Sequence, residues 1–207
     1  MGRYAGSVCR LCRRSGDKLM LKGVKCFTKC TLDRRSQPPG QHIARRRRIS
    51  DRGVQLREKQ KARYTYGLME RQFRRLFGRA EKMSGITGDN LLVLLERRLD
   101  NVVFRLGFAE SRSQARQLVT HGHIMLNGRK TDIASCMANE NDTVSWNTRS
   151  IGTEYYKQVA GAIGSRSIPN WLSLDRQTLV GQIISMPMPD DVEIKIDRKA
   201  IVEYYSR

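Results

Sequence analysis

The sequence predicts an α+β fold: a mostly helical N-terminal part with a metal-knuckle segment, followed by two helices and a short antiparallel sheet. Four cysteines stand in two close pairs near the start. Apolar residues then recur at helical spacing in two successive stretches between Gly53 and Leu106. Past Thr120 the helical period gives way to a hairpin signal.

The first element is the cysteine segment. Cys9-x2-Cys12 and Cys26-x3-Cys30 are separated by 13 residues, the spacing of a tetrahedral four-cysteine zinc site in which each pair makes one knuckle. Arg10, Arg13, Arg14, Lys25 and Lys29 lie among them and favour the thiolate that a metal needs. Disulfides suit exported chains, and Met1 to Gly6 has no apolar signal region. Four metal-free thiols would leave this basic stretch, poor in large apolar residues, with little to fold it. One structural Zn2+ on Cys9, Cys12, Cys26 and Cys30 is expected; an iron–sulfur cluster uses the same ligands and is the alternative. His42 is surplus to a full site, and Cys136 is read as a small core hydrophobe. Ser36-Gln37-Pro38-Pro39-Gly40 is a breaker cluster that ends the segment.

From Gly53 to Phe77 the pattern is helical. Tyr66, Met69, Phe73, Leu76 and Phe77 make one stripe, with Arg57, Lys61, Arg71 and Arg75 on the other side beside Tyr64. Gly67, costing about 1 kcal/mol inside a helix, marks a bend or a break. Gly78 to Gly88 is loop-prone. A second helix carries Leu91, Leu95, Leu99, Val102 and Leu106 and ends at Gly107. Ser111-x-x-Gln114 opens a third helix, to about Thr120, as a capping box. His123 to Lys130 is a hairpin about Asn127-Gly128, and Asp142 to Trp146 is a further strand. Trp171 to Arg207 reads as an amphipathic stretch, a break at Pro187 and Pro189, an alternating strand Val192-x-Ile194-x-Ile196, and an end helix.

Charge narrows the function. The 207 residues carry a net +19, which calls for a polyanionic partner. Residues 1–50 hold 14 basic and 2 acidic side chains, whereas residues 151–207 hold seven of each. No run of about 18 apolar residues exists to span a membrane. The most basic stretch, Arg45 to Arg48, lacks the aromatic apolar face of a membrane-surface helix. Arginine forks match phosphate geometry, so nucleic acid is the expected partner. The balanced C-terminal third is expected to meet protein, and to fold back on the stripe of Tyr66, Met69, Phe73 and Phe77.

Longer motifs now become recognisable. Glu96-Arg97-Arg98-Leu99-Asp100-Asn101-Val102-Val103-Phe104-Arg105-Leu106-Gly107-Phe108-Ala109, Ser111-Arg112-Ser113-Gln114-Ala115-Arg116-Gln117-Leu118-Val119, His121-Gly122-His123-Ile124 and Asn127-Gly128 resemble the small RNA-binding module named after bacterial small-subunit ribosomal protein four. The four cysteines resemble the zinc-bearing form of that family, and Pro38 to His42 its linker. Lys59 to Phe73 resembles its long helix, and Trp171-Leu172 with Ile201 to Arg207 its C-terminus. The likeness spans nearly the whole chain. It departs at Ala134, usually proline, at Asn141-Asp142 in place of Gly-Asp, and at Met188-Pro189-Asp190-Asp191.

The resemblance implies three regions. Residues 1–44 form the basic zinc segment and linker; 45–95 form a helical domain completed by 170–207; 96–169 form the RNA-binding module. It implies a structural constituent of the small ribosomal subunit, a primary binder of 16S ribosomal RNA that nucleates assembly of the subunit body and contributes to translational accuracy. Implied neighbours are other small-subunit proteins, ribosomal protein five above all, and messenger RNA where it enters the subunit; no membrane or small-molecule substrate is expected. The location is the ribosome, of the cytoplasm or of an organelle. Arg98-Leu99-Asp100 matches the short R-L-D of pseudouridine synthases, but those enzymes need a large catalytic domain that this length leaves no room for, and Asp100 is expected to make surface pairs with Arg97 and Arg98. A stand-alone RNA-binding protein with the same module would lack the cysteine segment. No enzyme activity is expected. The expected RNA contacts are Arg3, Arg10, Arg13 and Arg14; Arg45, Arg46, Arg47 and Arg48; Arg57, Lys61, Arg63, Arg71, Arg74 and Arg75; and Ser111, Arg112, Arg116, His121, His123, Asn127, Arg129 and Lys130. Ser111 to Ser113 open a helix whose N–H groups favour a phosphate.

Overall fold

The computed structural model describes residues 2, 4–41, 49–192 and 194–206. The chain divides into two compact units, residues 1–91 with 193–207, and residues 92–192. In the first, three short helices carry the cysteine segment: α1 (Cys9–Ser15), α2 (Val24–Thr28) and α3 (Thr31–Arg34). They are followed by α4 (Asp51–Thr65), capped by Ser50 Oγ on the Gly53 amide at 3.3 Å, and α5 (Glu70–Ala80). The predicted single helix from Gly53 to Phe77 is thus two. The break falls at Gly67, whose φ of +62° is readily reached only without a Cβ. Met69, expected in the apolar stripe, lies outside α5 and is exposed, while Phe73, Leu76 and Phe77 are buried.

Helix α6 (Thr87–Glu96) carries the chain across the boundary between the units. The predicted second helix also divides, because the backbone leaves the helix at Arg97–Arg98 to bond a neighbouring segment. The Leu99 amide donates to Cys136 O at 2.8 Å, and the Ala138 amide to Arg97 O at 2.9 Å. Helix α7 (Leu99–Arg105) then leads to α8 (Arg112–Thr120), capped as expected by Ser111 Oγ on the Gln114 amide at 3.3 Å. The Gln114 side chain accepts from the Glu110 amide, one residue earlier than a capping box requires.

Five strands form one antiparallel sheet: β1 (Ile124–Leu126), β2 (Arg129–Lys130), β3 (Thr143–Trp146), β4 (Leu172–Asp175) and β5 (Val180–Ile183), in the order β2-β1-β3-β5-β4. Asn127 and Gly128 both have positive φ, +51° and +73°, as the predicted hairpin turn demands. Helix α9 (Glu154–Ala162) links β3 to β4. One core unites Leu99, Val102 and Leu106 of α7, Val119 of α8, Val144 and Trp146 of β3, Val159 of α9, and Leu172 and Ile183. Residues 170–192, expected in the helical domain, therefore belong to the second unit: β5 pairs with β3, Val144 facing Gly181, and Trp171, Leu172, Leu179 and Ile183 are buried there. No strand forms among the described residues from Val192 to Ile196.

Only the last helix, α10 (Arg198–Tyr205), returns to the first unit, where it packs on α4. Tyr205 lies on Phe77 and Phe73, with ring centroids 4.4 and 6.4 Å apart. Lys59 of α4 is 3% exposed, and a buried ammonium must be paired. Its Nζ meets Glu70 Oε1 at 2.5 Å and lies over the Tyr204 ring at 4.9 Å, while the Tyr205 hydroxyl donates to the same Glu70 oxygen at 2.9 Å. Burial raises the Glu70 carboxyl, but the hydrogen bonds from Lys59 and Tyr205 and the charges of Lys59 and Arg63 outweigh it and hold its pKa below the ordinary value. A depressed carboxylate contributes stability above its unfolded pKa, about 4.3, and that stability is lost as pH falls through the folded value. Thermal melts followed by helical circular dichroism should therefore show little change from pH 7 to about 5 and a drop below about 4. Glu70→Gln should melt lower at neutral pH and show a smaller acid drop.

Candidate nucleic-acid interface

The polar interior of the second unit is organised by two buried carboxylates. Glu96, fully buried, accepts a forked pair from Arg105 Nε and an Arg105 terminal nitrogen at 2.9 and 3.0 Å, and Asn101 Nδ2 at 2.7 Å. Arg105 also donates to Asp191 O at 3.2 Å. Asp100 takes a second fork from Arg98 at 3.0 and 2.7 Å, with Arg116 at 3.7 Å. Asn101 joins the two groups, since its Oδ1 accepts from Arg112 Nε at 2.8 Å. The Arg112 guanidinium lies 4.5 Å from the centre of the Phe104 ring, a cation–π contact.

This network corrects one expectation and relocates others. Arg98 and Asp100 are 2% and 4% exposed, so their pair is interior rather than on the surface. Arg112 and Arg116, expected at RNA, are each 9% exposed; their contacts with Asn101 and Asp100 tie α8 to α7. Ser111 is buried as the helix cap. Asn127 pins the hairpin turn to β3: its Oδ1 accepts from the Thr143 amide at 2.8 Å and its Nδ2 donates to Asp142 at 2.7 Å. Among the departures, Ala134 is fully buried, its carbonyl accepting from the Asp100 amide at 3.2 Å, and Asn141 takes a φ of +68°, a conformation asparagine tolerates better than most residues. Asn101→Ala should leave Arg112 and Glu96 short of a partner, costing about 2–3 kcal/mol. Both tryptophans, Trp146 and Trp171, lie in this unit, so tryptophan fluorescence in a urea titration reads the loss directly.

The outward basic residues form a different population. Arg57 of α4 and Arg71, Arg74 and Arg75 of α5 are exposed, and among the described residues none is placed in an ion pair. Arg10 and Arg14 of α1 are likewise exposed. Others in the expected set are engaged: Lys61 with Asp17 at 3.0 Å, Arg63 with Gln60 at 2.7 Å and Glu70 at 3.7 Å, and Arg13 with Gln37 O at 2.8 Å. Arg3 and Arg45 to Arg48, with His42, lie outside the described residues. In the second unit His121, Arg129 and Lys130 are exposed, and His123 Nδ1 is 2.9 Å from Ser150 Oγ. His121, His123 and Lys130 line one cleft with Asn147, Arg149 and Thr153. Sequence reasoning missed Asn147 and Arg149. Their signal was faint: two polar residues just after a strand, with no motif of their own.

None of the five cysteines is joined in a disulfide. Cys9 and Cys12 lie on α1, Cys26 on α2, and Cys30 caps α3. Burial pushes the Cys12 thiol up, a backbone hydrogen bond at Leu19 opposes this, and the charges of Cys26, Cys9 and Cys30 add to the rise. The Lys22 amide donates to Cys26 Sγ at 3.3 Å, the kind of donor that orients a thiolate ligand. Among the described residues no three His, Cys, Asp or Glu side chains converge as a metal-ligating group. The donor set has the chemistry of a thiolate metal site.

Comparison with known proteins agrees with this geometry. Residues 3–96 match the family described as ribosomal protein S4/S9 N-terminal domain, and residues 97–144 the S4 domain. The chain is 56% identical to small ribosomal subunit protein uS4 of Dehalococcoides mccartyi (strain CBDB1), over all of both chains. It is 51% identical to uS4 of Heliobacterium modesticaldum (strain ATCC 51547 / Ice1) and 50% to that of Halothermothrix orenii (strain H 168 / OCM 544 / DSM 9562), again over the full length of each. With two consecutive family matches on the helical unit and on the module, and relatives matched end to end, this chain belongs to the uS4 family of small-subunit ribosomal proteins.

Proposed function

We infer that this chain is a structural, non-enzymatic constituent of the small ribosomal subunit that binds 16S ribosomal RNA. The observation that carries the reading, beside family membership, is how the charge is placed. Inward Arg98, Arg105 and Arg116 meet carboxylates and Arg112 meets Asn101 and Phe104, whereas Arg57, Arg71, Arg74 and Arg75 are exposed on α4 and α5 with no ion pair placed on them among the described residues. Unmatched cations on a fixed frame are suited to phosphates, whose neutralisation releases counterions, while the frame's shape selects a folded RNA. In finer detail the chain acts as a primary binder, nucleating assembly of the subunit body and contributing to translational accuracy. Its C-terminal third, with seven acidic and seven basic residues and exposed Ile184 and Met188, meets neighbouring proteins, ribosomal protein five above all.

The experiment is binding to small-subunit ribosomal RNA against an unrelated RNA of equal length across a salt series. Preference for the ribosomal RNA is expected, and equal affinity would overturn the reading. Replacing Arg74 and Arg75 together by alanine should weaken binding and reduce the salt slope by about two, with the melting temperature unchanged. The paired cysteines support one structural zinc on Cys9, Cys12, Cys26 and Cys30, with iron–sulfur the alternative. Elemental analysis of protein prepared without chelator should find one zinc per chain. Stripping it should raise amide exchange up to about Gln37 and leave the second unit protected, since structural zinc supplies about 10 kcal/mol or more of folding energy.

A further inference from the structure

We propose that Lys61 couples the cysteine segment to the C-terminal helix, so that the first turn of α10 is fully seated only while Asp17 is docked on α4. The ammonium of Lys61 lies where three elements of the first unit meet. Its side chain is 11% exposed, and a cation so far withdrawn from water needs a carboxylate. Two stand within reach. Asp17 Oδ2, from the cysteine segment, is at 3.0 Å, and Glu58 Oε1, nearly one turn earlier on α4, is at 3.8 Å.

Asp17 is placed by the end of α1. Gly16 takes a φ of +81° there, and its amide donates to Cys12 O at 2.8 Å, the left-handed close that favours glycine. The residue that follows is thereby tied to the helix that carries Cys9 and Cys12, and α1 packs on α4. The Asp17 side chain is half exposed, so water can replace Lys61 around it at little cost. Lys61 has no such freedom.

Glu58 has a second duty. Its Oε2 accepts from the Asp197 amide at 3.0 Å, and Asp197 is the cap of α10, its Oδ1 accepting from the Ala200 amide at 3.2 Å. Glu58 serves both partners because Asp17 carries the closer charge on Lys61. When the cysteine segment lifts away, the carboxylate left beside Lys61 among the described residues is Glu58. Closing that 3.8 Å contact draws Glu58 off the Asp197 amide, and the start of α10 loses an anchor on α4. Arg198 on Asp89 at 2.6 Å keeps the turn from leaving altogether. The far end is held separately, by Tyr205 on Glu70 and by Gln55 Nε2 on Glu203 at 2.8 Å. The response is therefore local to the cap, and since coupling is reciprocal, a partner that seats α10 also steadies the cysteine segment.

The test is amide hydrogen exchange of the full chain labelled with ¹⁵N, which reads local opening residue by residue. Asp17→Asn keeps the side chain's size and removes its charge. Exchange at the Asp197 and Ala200 amides should quicken by about fivefold or more, while the Phe73 amide, bonded to Met69 O in α5, keeps its rate. Glu58→Gln supplies the second background: its side chain can still accept from Asp197 but offers Lys61 no charge. There Asp17→Asn should change the same two amides by less than about twofold, a non-additivity that only a shared partner produces. Unchanged exchange at Asp197 and Ala200 in Asp17→Asn would overturn the coupling. Equal quickening in both backgrounds would show that the segment steadies α10 by a path other than Lys61 and Glu58, and the proposal falls. Quickening that includes Phe73 to the same degree would mark a general loss of stability and overturn it as well.

Discussion

Glu96 and Asp100 are carboxylates four residues apart, held where water does not solvate them. A buried carboxylate must be neutralised or matched, and here each is matched by an arginine fork. The demand shapes the second unit. It helps explain why the chain leaves the helix at Arg97–Arg98, for there Arg98 turns back on Asp100 while its neighbours bond to 136–138. It gives Asn101 its place between Glu96 and Arg112. It also reaches the end of the unit, where Arg105 holds the carbonyl of Asp191. Removing one member of such a network leaves others buried and short of partners, so its members stand or fall together. The contacts of Arg112 with Asn101 and of Arg116 with Asp100 tie α8 to α7.

The same bookkeeping divides the arginines into two kinds that the sequence writes alike. Arg112 and Arg116 are the first and fifth residues of α8, which reads as a basic helix opening, yet they turn inward to Asn101 and Asp100. Arg71, Arg74 and Arg75 belong to an equally basic stretch and turn outward, because Phe73, Leu76 and Phe77 take the interior of α5. What separates them is whether a buried acid lies within reach, and that depends on residues a full helix away.

That distinction marks where the sequence could be read and where it could not. Local signals were legible: the Ser111 cap, the Asn127-Gly128 turn, the break at Gly67 and the strand ending at Trp146 all rest on neighbouring residues. Long-range choices were not. Leu172-Ser173-Leu174-Asp175 alternates with period two, but its assignment as β4 depends on β5 pairing with β3 some forty residues earlier. The alternation at Val192, Ile194 and Ile196 is as regular, but among the described residues no strand pairs with it. Of the candidate site, exposed helix residues were foreseen from stripe and charge, whereas Asn147 and Arg149 became visible only once β3 and the hairpin were side by side.

The two units, on the proposed reading, contribute to recognition by different physics. Point charges projecting from α4 and α5 act on any phosphate backbone, and their attraction weakens with salt as counterions compete. The cleft that brings His121, His123 and Lys130 beside Arg149 adds a fixed shape that a folded RNA must fit. A chain with only the first would bind every folded RNA; with only the second it would be slow to find any. Basic helices that raise the rate of encounter and a rigid cleft that discriminates after it together make a net +19 chain selective instead of merely adhesive. The inward arginines are what permit this, because by neutralising Glu96 and Asp100 they keep the discriminating unit stiff without adding to the charge it presents.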